Sequence, residues 1–592
     1  MCGIFGTIGS SCVKDTLCAL QQLEYRGYDS VGIAVKTMDG LKVFKDVGRV
    51  CTLSVGQVEG SLAIGHTRWA THGKVSKENA HPFVSFDGNF AVVHNGIVEN
   101  YLQHKITLQK QGVEFASQTD SEVIAHLLAK HYNGDVVSTL GKVGAMLTGS
   151  FAVVVATTFD GNLYAFRRGS ALCVGKGNGG VCLCSDVTAI GGFAKQVAVL
   201  PDGCVAKLCQ DSIEVLVGAK QINLAYFEPS CEMVLEQAPQ GDHMISEILQ
   251  IPTAVQHTFD YYFQSGGLCL TKRQVNRFKQ VYFVGCGTAY HSALVACSLM
   301  QRFTNVPCQA VIASEYVYDN YPTGKDTLVV AISQSGETAD TLKAVQKAKG
   351  QGATVYAITN VCNSSLCFAA NYVKYIKAGR EVSVASTKAY NCQLVALTLL
   401  VLDFATLRGD MSQQTRQRYL ADFAKVPTAC YQLVNQGARC KSLAHHYKDV
   451  SAVYFVGRRL DIATAKEGAL KLKEISYVFA EAYPSGELKH GTLAVMESGV
   501  LVVAVACEKD LVDKCSTTVA EVTSRGASAV VLSQYPTDLS GKAQVLALPA
   551  VNEIFAPIVA VIPLQMFAYY FAKGRGCDVD RPRNLAKSVT VE

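Results

Sequence analysis

The chain has 592 residues, too many for one hydrophobic core, and three to four domains are expected at roughly 150 residues each. Hydrophobic residues make up 49% and charged residues 17%, and a net charge of +5 is spread without a basic stripe or tail, so no nucleic-acid partner is expected. No basic segment followed by an apolar run opens the chain, and the apolar stretches 394–402 and 558–571, broken by Thr398 and Gln565, read as too short to span a bilayer; a soluble, cytoplasmic protein with no membrane partner is the expectation.

In chain order, the first feature is Cys2. A thiol behind the initiator becomes the terminal residue once methionine is removed, and its own α-amine, titrating near about 7.7–8.0, can take the thiol proton directly or through one water. By itself such a cysteine is an ordinary processed end. Next come residues 65–73, with Arg68, Trp69, Thr71 and His72, then 92–100, with Asn95 and Gly96, then Asp120, all behind apolar runs that read as strands. An amidohydrolase acting on glutamine needs a cation for the α-carboxylate, an anion for the α-ammonium and donors for the oxyanion. Arg68, Asp120 and the Asn95 side chain with the Gly96 N–H supply these types. Taken singly, Asn95-Gly96 reads as a hairpin turn and Arg68 as a surface charge.

Together with Tyr25-Arg26-Gly27-Tyr28-Asp29-Ser30, these segments resemble the glutaminase domain of the N-terminal-nucleophile amidotransferases over residues 1–226. The resemblance implies an αββα sandwich, with Cys2 as nucleophile, Asn95 and Gly96 as oxyanion hole, and Arg68, Thr71, His72 and Asp120 as the glutamine pocket. It also implies that Trp69, the chain's one tryptophan, gates ammonia. Residues 227–252, with Pro229, Pro239 and Gly241, suit an ordered connector in which 244–251 forms an amphipathic turn or two.

The second half repeats itself. Val281-Tyr282-Phe283-Val284-Gly285 recurs as Val453-Tyr454-Phe455-Val456-Gly457, at an offset of 172, and each copy leads through a helical pattern to another buried strand, 328–332 and 501–506. Short apolar runs alternating with helical patterns predict two doubly wound parallel α/β domains, 253–415 and 416–576. In the first copy the strand runs into Ser333-Gln334-Ser335-Gly336-Glu337-Thr338, hydroxyls and N–H groups that suit one phosphate. No GxxxxGK[ST] occurs, and Gly285-Cys286-Gly287 lacks the third glycine of a dinucleotide loop, so neither a nucleoside triphosphate nor NAD is expected. The same run also reads as a plain helix cap.

The pair resembles SIS (sugar-isomerase) domains. That resemblance implies a sugar-phosphate site of Thr288, Ser333, Gln334, Ser335 and Thr338 with Val384 and Ser386 from the loop 384–388; Ala289 stands where the family commonly has serine. Glu467, Lys471 and Glu474 fall at i, i+4 and i+7 of one helix, which also describes an exposed salt-bridged surface. With Tyr483–Gly491 and the closing residues 577–592, these segments resemble the amidotransferases that make glucosamine 6-phosphate from glutamine and fructose 6-phosphate, the opening step toward UDP-N-acetylglucosamine. The resemblance implies Glu474 as the C1/C2 proton shuttle, His490 from a neighbouring subunit of a homodimer or larger homo-oligomer as ring opener, Lys587 as Schiff-base amine, Lys471 in proton traffic, and a tail closing over the sugar. Ammonia would travel by a dry path.

The 22 cysteines are scattered without a CxxC pair, and among 13 histidines the one close pair, His445-His446, has no ligand-spaced partner. Reduced thiols, no metal and no cofactor are expected. Three alternatives stand beside this reading: a glutaminase whose acceptor is phosphoribosyl pyrophosphate or an ATP-activated acid, whose polyphosphate loops are missing; a sugar-phosphate sensor without catalysis; and an isomerase or deglycase without ammonia transfer, against which the Cys2 segment argues.

Overall fold

The computed structural model describes residues 2–70, 72–177, 180–229, 241–539 and 541–590. The chain divides into two compact units, Met1–Glu236 with Glu337–Ala339 and Ala586–Glu592, and Gln237–Gly336 with Asp340–Leu585. Thr71, positions 230–240 of the expected connector and the last two residues of the expected tail lie outside the described residues.

The first unit is built on two seven-stranded antiparallel sheets. Gly3–Ile8 and Leu62–Arg68 pair near the middle of one, and Phe90–Val98 pairs with Gly149–Thr157 in the other. Alternation puts Ile4, Ile8, Leu62 and Ile64 against Ala91, Val93, Ala152 and Val154 in one apolar layer between the sheets. Outside it, helix Cys12–Leu23 buries Ala19, Leu20 and Leu23 on the first sheet, and helices Glu122–His131 and Val136–Met146 cover the second. This is the expected αββα sandwich. Asn95-Gly96, however, is no hairpin turn: it lies inside a nine-residue strand, opposite Ala152 and Phe151. The positive φ of Gly96, 121°, bends that strand where a Cβ would lie 2.0 Å from the Ser150 carbonyl oxygen.

The second unit carries two parallel five-stranded sheets of one topology. In the first, Gln280–Gly285 lies between Cys308–Ile312 and Thr327–Ser333, followed by Thr354–Thr359 and Tyr372–Tyr375; in the second, Ala452–Gly457 lies between Phe479–Pro484 and Val500–Ala506, followed by Ser528–Ser533 and Gln544–Ala547. Strand order 2-1-3-4-5 has its switch point between the first and third strands, where ligands of doubly wound sheets bind at the carboxyl ends. Pairing of Val281 with Leu328 and of Val453 with Leu501 extends the duplication: the first strands are offset by 172 and the third by 173. Gly287 thus corresponds to Arg459, and the two share one backbone shape, φ 52°, ψ −123° and φ 47°, ψ −118°.

Two helices, Lys388–Arg408 and Glu553–Gly574, are long and apolar enough to cross a membrane, contrary to the expectation from their apolar stretches. Thr398 and Gln565 do not interrupt them, because the Thr398 hydroxyl donates to the Leu394 carbonyl at 2.7 Å and the Gln565 amide donates to Asn391 Oδ1 at 3.2 Å. Both helices are almost wholly buried within this unit. In the expected connector 243–249 is helical, and a second helix, 251–264, starts at its end and runs into the expected first α/β domain.

Candidate active sites

In the first unit the segment between Leu62–Arg68 and residue 70 wraps Cys2. The Trp69 N–H donates to Cys2 Sγ at 3.3 Å, and Asn95 Nδ2 donates to the Cys2 carbonyl at 2.9 Å. Burial raises the thiol pKa, which the N-terminal ammonium, the Trp69 N–H and Arg68 only partly offset and Asp120 reinforces. A thiol so placed needs a base. Arg68 is buried and its guanidinium donates to the His72 carbonyl, with Gly73 and Lys74 carbonyls at 3.5 Å. Asp120 is buried, and its Oδ2 accepts the Val98 N–H at 2.8 Å. Asp29 braces the loop by accepting the Ala70 N–H at 2.8 Å, Arg26 is paired with Asp186 at 2.8 Å, and Tyr28 meets the edge of Trp69 at 5.5 Å. Trp69 is half-buried, outside the core, and His72 packs on Tyr101. Cys2, Arg68, Trp69, His72, Asn95, Gly96 and Asp120 all lie in the first unit. Lys587 is half-buried in the tail grouped with this unit, where Val589 accepts the Ala339 N–H at 3.0 Å.

In the second unit the switch point of the first repeat is lined by Gly287-Thr288 and the Ser333–Gly336 turn, in which Ser333 Oγ accepts the Gly336 N–H at 3.0 Å and Gln334 and Ser335 are half-buried. Thr338, next in the sequence, is half-buried and is grouped with the first unit. The loop 384–388 is anchored by Val384 N–H on the Asp580 carbonyl at 3.0 Å, and the buried hydroxyl oxygens of Ser383, Ser386 and Thr387 find no partner among the described residues. Such orphans are rare in a finished core.

Helix Leu460–Ser476 of the second repeat turns its charged row inward toward this site. Glu467 is fully buried; Oε1 accepts Thr288 Oγ1 at 3.0 Å and Oε2 meets His291 Nδ1 at 2.7 Å. Lys471 Nζ lies 3.1 Å from Thr288 Oγ1, 3.4 Å from Glu467 and 2.8 Å from Glu474. Burial alone would lower the Lys471 pKa, but Glu474 and Glu467 outweigh it and the net shift is upward, so the ammonium persists at neutral pH. The exposed-surface reading of this row fails. His490 is exposed on a short 3₁₀ turn, Glu487–His490.

Three functional-looking residues escaped the sequence. His291 had only its i+3 spacing from Thr288 as a signal, and Glu467 appeared as a helix-surface charge. The third, Glu508, takes the position of Ser335 in the second repeat. It is buried, it accepts the Leu460 N–H at 3.2 Å at the start of its helix, and it pairs with Arg459 at 3.3 Å. The equivalent helix start in the first repeat, at Thr288, has no side-chain cap. Among the described residues no cluster suited to a metal is found, and every cysteine is free.

Comparison with known proteins agrees with this division. Residues 275–403 and 446–573 match the SIS domain, and 66–191 match a glutamine amidotransferase domain. The chain is 41% identical over 608 residues to a glutamine–fructose-6-phosphate aminotransferase (isomerizing) of Caldanaerobacter subterraneus subsp. tengcongensis and 40% identical over 609 residues to one of Thermus thermophilus, with all of this chain and all of each relative covered. Among solved structures, the C-terminal domain of glucosamine-fructose-6-phosphate aminotransferase from Francisella tularensis is 36% identical with a TM-score of 0.56, covering 59% of this chain and 100% of that one. With relatives of this closeness over their whole length, the chain belongs to the glutamine–fructose-6-phosphate aminotransferase (isomerizing) family.

Proposed function

We propose that the chain makes glucosamine 6-phosphate from glutamine and fructose 6-phosphate. In the glutaminase half, the Cys2 α-amine, freed by removal of Met1, takes the thiol proton, and Sγ attacks the glutamine amide carbon. The oxyanion is met by Asn95 Nδ2 and the Gly96 N–H. Arg68 holds the substrate α-carboxylate and Asp120 its α-ammonium, with Thr71 and His72 lining the pocket and Trp69 gating the ammonia released. Water then frees glutamate from the thioester.

In the sugar half, Thr288, Ser333, Gln334, Ser335 and Thr338 take the phosphate, and Val384 and Ser386 border the sugar. His490 of a neighbouring copy opens the ring and Lys587 condenses with the open-chain carbonyl. Glu474 moves the proton between C1 and C2, and Lys471, held as an ammonium, steadies the sugar hydroxyls and cannot compete as base. Ammonia must reach the sugar unprotonated, which a dry path ensures. The reading keeps domain limits of 1–226, 227–252, 253–415, 416–576 and 577–592, a homodimer as the smallest competent form, and a reducing compartment such as the cytoplasm, which a working Cys2 requires.

The observation that carries this reading is the presence in one chain of the Cys2 thiol, with Asn95 on its carbonyl and Arg68 and Asp120 close enough to shift it, and a Glu467–Lys471–Glu474 row, buried at Glu467 and Lys471, beside the start of helix Thr288–Phe303. It is tested by incubating the purified protein with fructose 6-phosphate and amide-¹⁵N glutamine. Labelled hexosamine 6-phosphate in the mass spectrum is the expected result; glutamate without labelled sugar would overturn the acceptor assignment.

A further inference from the structure

The Asn95 side chain can donate toward Cys2 only if its amide is turned the right way, and a buried histidine at its oxygen end sets that turn together with the Cys2 carbonyl at its nitrogen end. His66 sits on strand Leu62–Arg68 and is fully buried. Its Nε2 lies 2.9 Å from the His94 carbonyl oxygen and 3.1 Å from Asn95 Oδ1. A backbone carbonyl can only accept, so Nε2 carries the proton. A nitrogen that carries a proton cannot accept from an NH₂ group, so the Asn95 atom facing it must be oxygen. The NH₂ is then at the other end, where one proton serves the Cys2 carbonyl at 2.9 Å and the second remains for a developing oxyanion.

We propose that His66 is a positioning residue for glutamine hydrolysis, locking Asn95 with its oxygen away from the nucleophile and its amide nitrogen toward it. The inference rests on the roles given above to Cys2 and Asn95. Two further observations support it. The His81 ring lies over His66 with centroids 3.9 Å apart, and this contact hinders rotation of the imidazole. His66 Nδ1 has no partner among the described residues, so the ring is held through Nε2 alone. Burial also drives the His66 pKa down to about 3, which keeps the ring neutral and the site free of a competing charge throughout the working range. His66 touches neither thiol nor substrate, so its effect passes through Asn95.

The test compares wild type, His66→Leu and His66→Gln in the full chain, following glutamine hydrolysis and inhibition by glutamate γ-semialdehyde, an aldehyde that adds the Cys2 thiol across its carbonyl to give a tetrahedral adduct. The Leu variant is expected to lose about tenfold to a hundredfold in kcat with the KM for glutamine within about twofold, and to lose aldehyde affinity in proportion. The Gln variant, which keeps an N–H donor, recovers most of both. In an Asn95→Ala background His66→Leu costs little more. A Leu variant with wild-type kcat, a loss confined to KM, or an undiminished further loss in the Asn95→Ala background would overturn the proposal. Should the Leu variant fail to fold, Gln decides: a folded Gln variant without aldehyde affinity overturns it, and one with affinity retained upholds it. A wild-type protein that releases no glutamate would overturn the functional reading and this inference with it, whereas indifferent His66 variants of an active enzyme overturn the inference alone.

Discussion

The two repeats of the second unit share strand order, register and even the turn before their first helices, yet they treat the switch point in opposite ways. In the first, the start of helix Thr288–Phe303 is left without a side-chain cap beside Ser333–Ser335. In the second, the carboxylate of Glu508 sits on the N–H of Leu460 and fills with its own charge the place an incoming anion would take. The second repeat instead lends Glu467, Lys471 and Glu474 to the first, through Thr288 and His291. Duplication here has divided the labour: one copy is read as keeping the phosphate loop, the other supplies the charged helix.

Substitutions can break this contrast. Ser335→Glu gives the first repeat the carboxylate of the second; a like charge facing the phosphate costs several kcal/mol, so sugar affinity is expected to fall about a thousandfold while glutamine hydrolysis persists, measured by calorimetry with the sugar phosphate and by glutamate release. Glu467→Gln leaves Lys471 short of a partner in a site with almost no solvent, and a loss of about 3 kcal/mol in denaturant unfolding is expected; adding Lys471→Met restores stability but not turnover.

Asp461 corresponds to Ala289 of the first repeat, and burial, with Glu508 nearby, pushes its pKa up to about 7. The folded chain holds a proton that the unfolded chain has lost, so Asp461 favours the fold fully below about pH 4 and loses that advantage as pH rises to about 7. Asp461→Asn is therefore expected to be more stable than wild type at pH 8 by about 2 kcal/mol, with the gap closing near pH 4 in thermal melts across pH. The mildest change is Glu508→Gln, which sharpens the contrast by leaving the KM for fructose 6-phosphate unchanged while lowering stability by about 1 kcal/mol through a weaker cap.

Much of this was legible in the sequence because it rests on local order: the 172-residue offset is a pattern of strands, and Cys2, Arg68 and Asn95 stand just before, at the end of and within strands of the first unit, whereas Asp120, expected behind a strand, lies in the bend before helix Glu122–His131. What escaped depends on burial and on elements distant along the chain. Asn95-Gly96 carries the local signal of a turn, but pairing with Gly149–Thr157 absorbed it into a strand. Glu467 has the spacing of a solvated helix face, and only packing against the helix of Thr288 and His291 makes it interior. His66, His81 and His94 lie 13 to 15 residues apart in the sequence, and only the fold brings the His81 ring to 3.9 Å from His66 and 6.4 Å from His94, whereas adjacency in the sequence points to His445-His446.

The turn shared by Gly287 and Arg459 suits only one of the two residues that adopt it. An arginine at φ 47°, ψ −118° carries a backbone penalty of about 1–3 kcal/mol, because its Cβ is crowded where glycine has none. The pairing of its exposed side chain with Glu508 repays less than about 1 kcal/mol. Position 459 is thus a reserve of thermal tolerance that the chain has left unused, and glycine there would release it without touching a group assigned to either half-reaction.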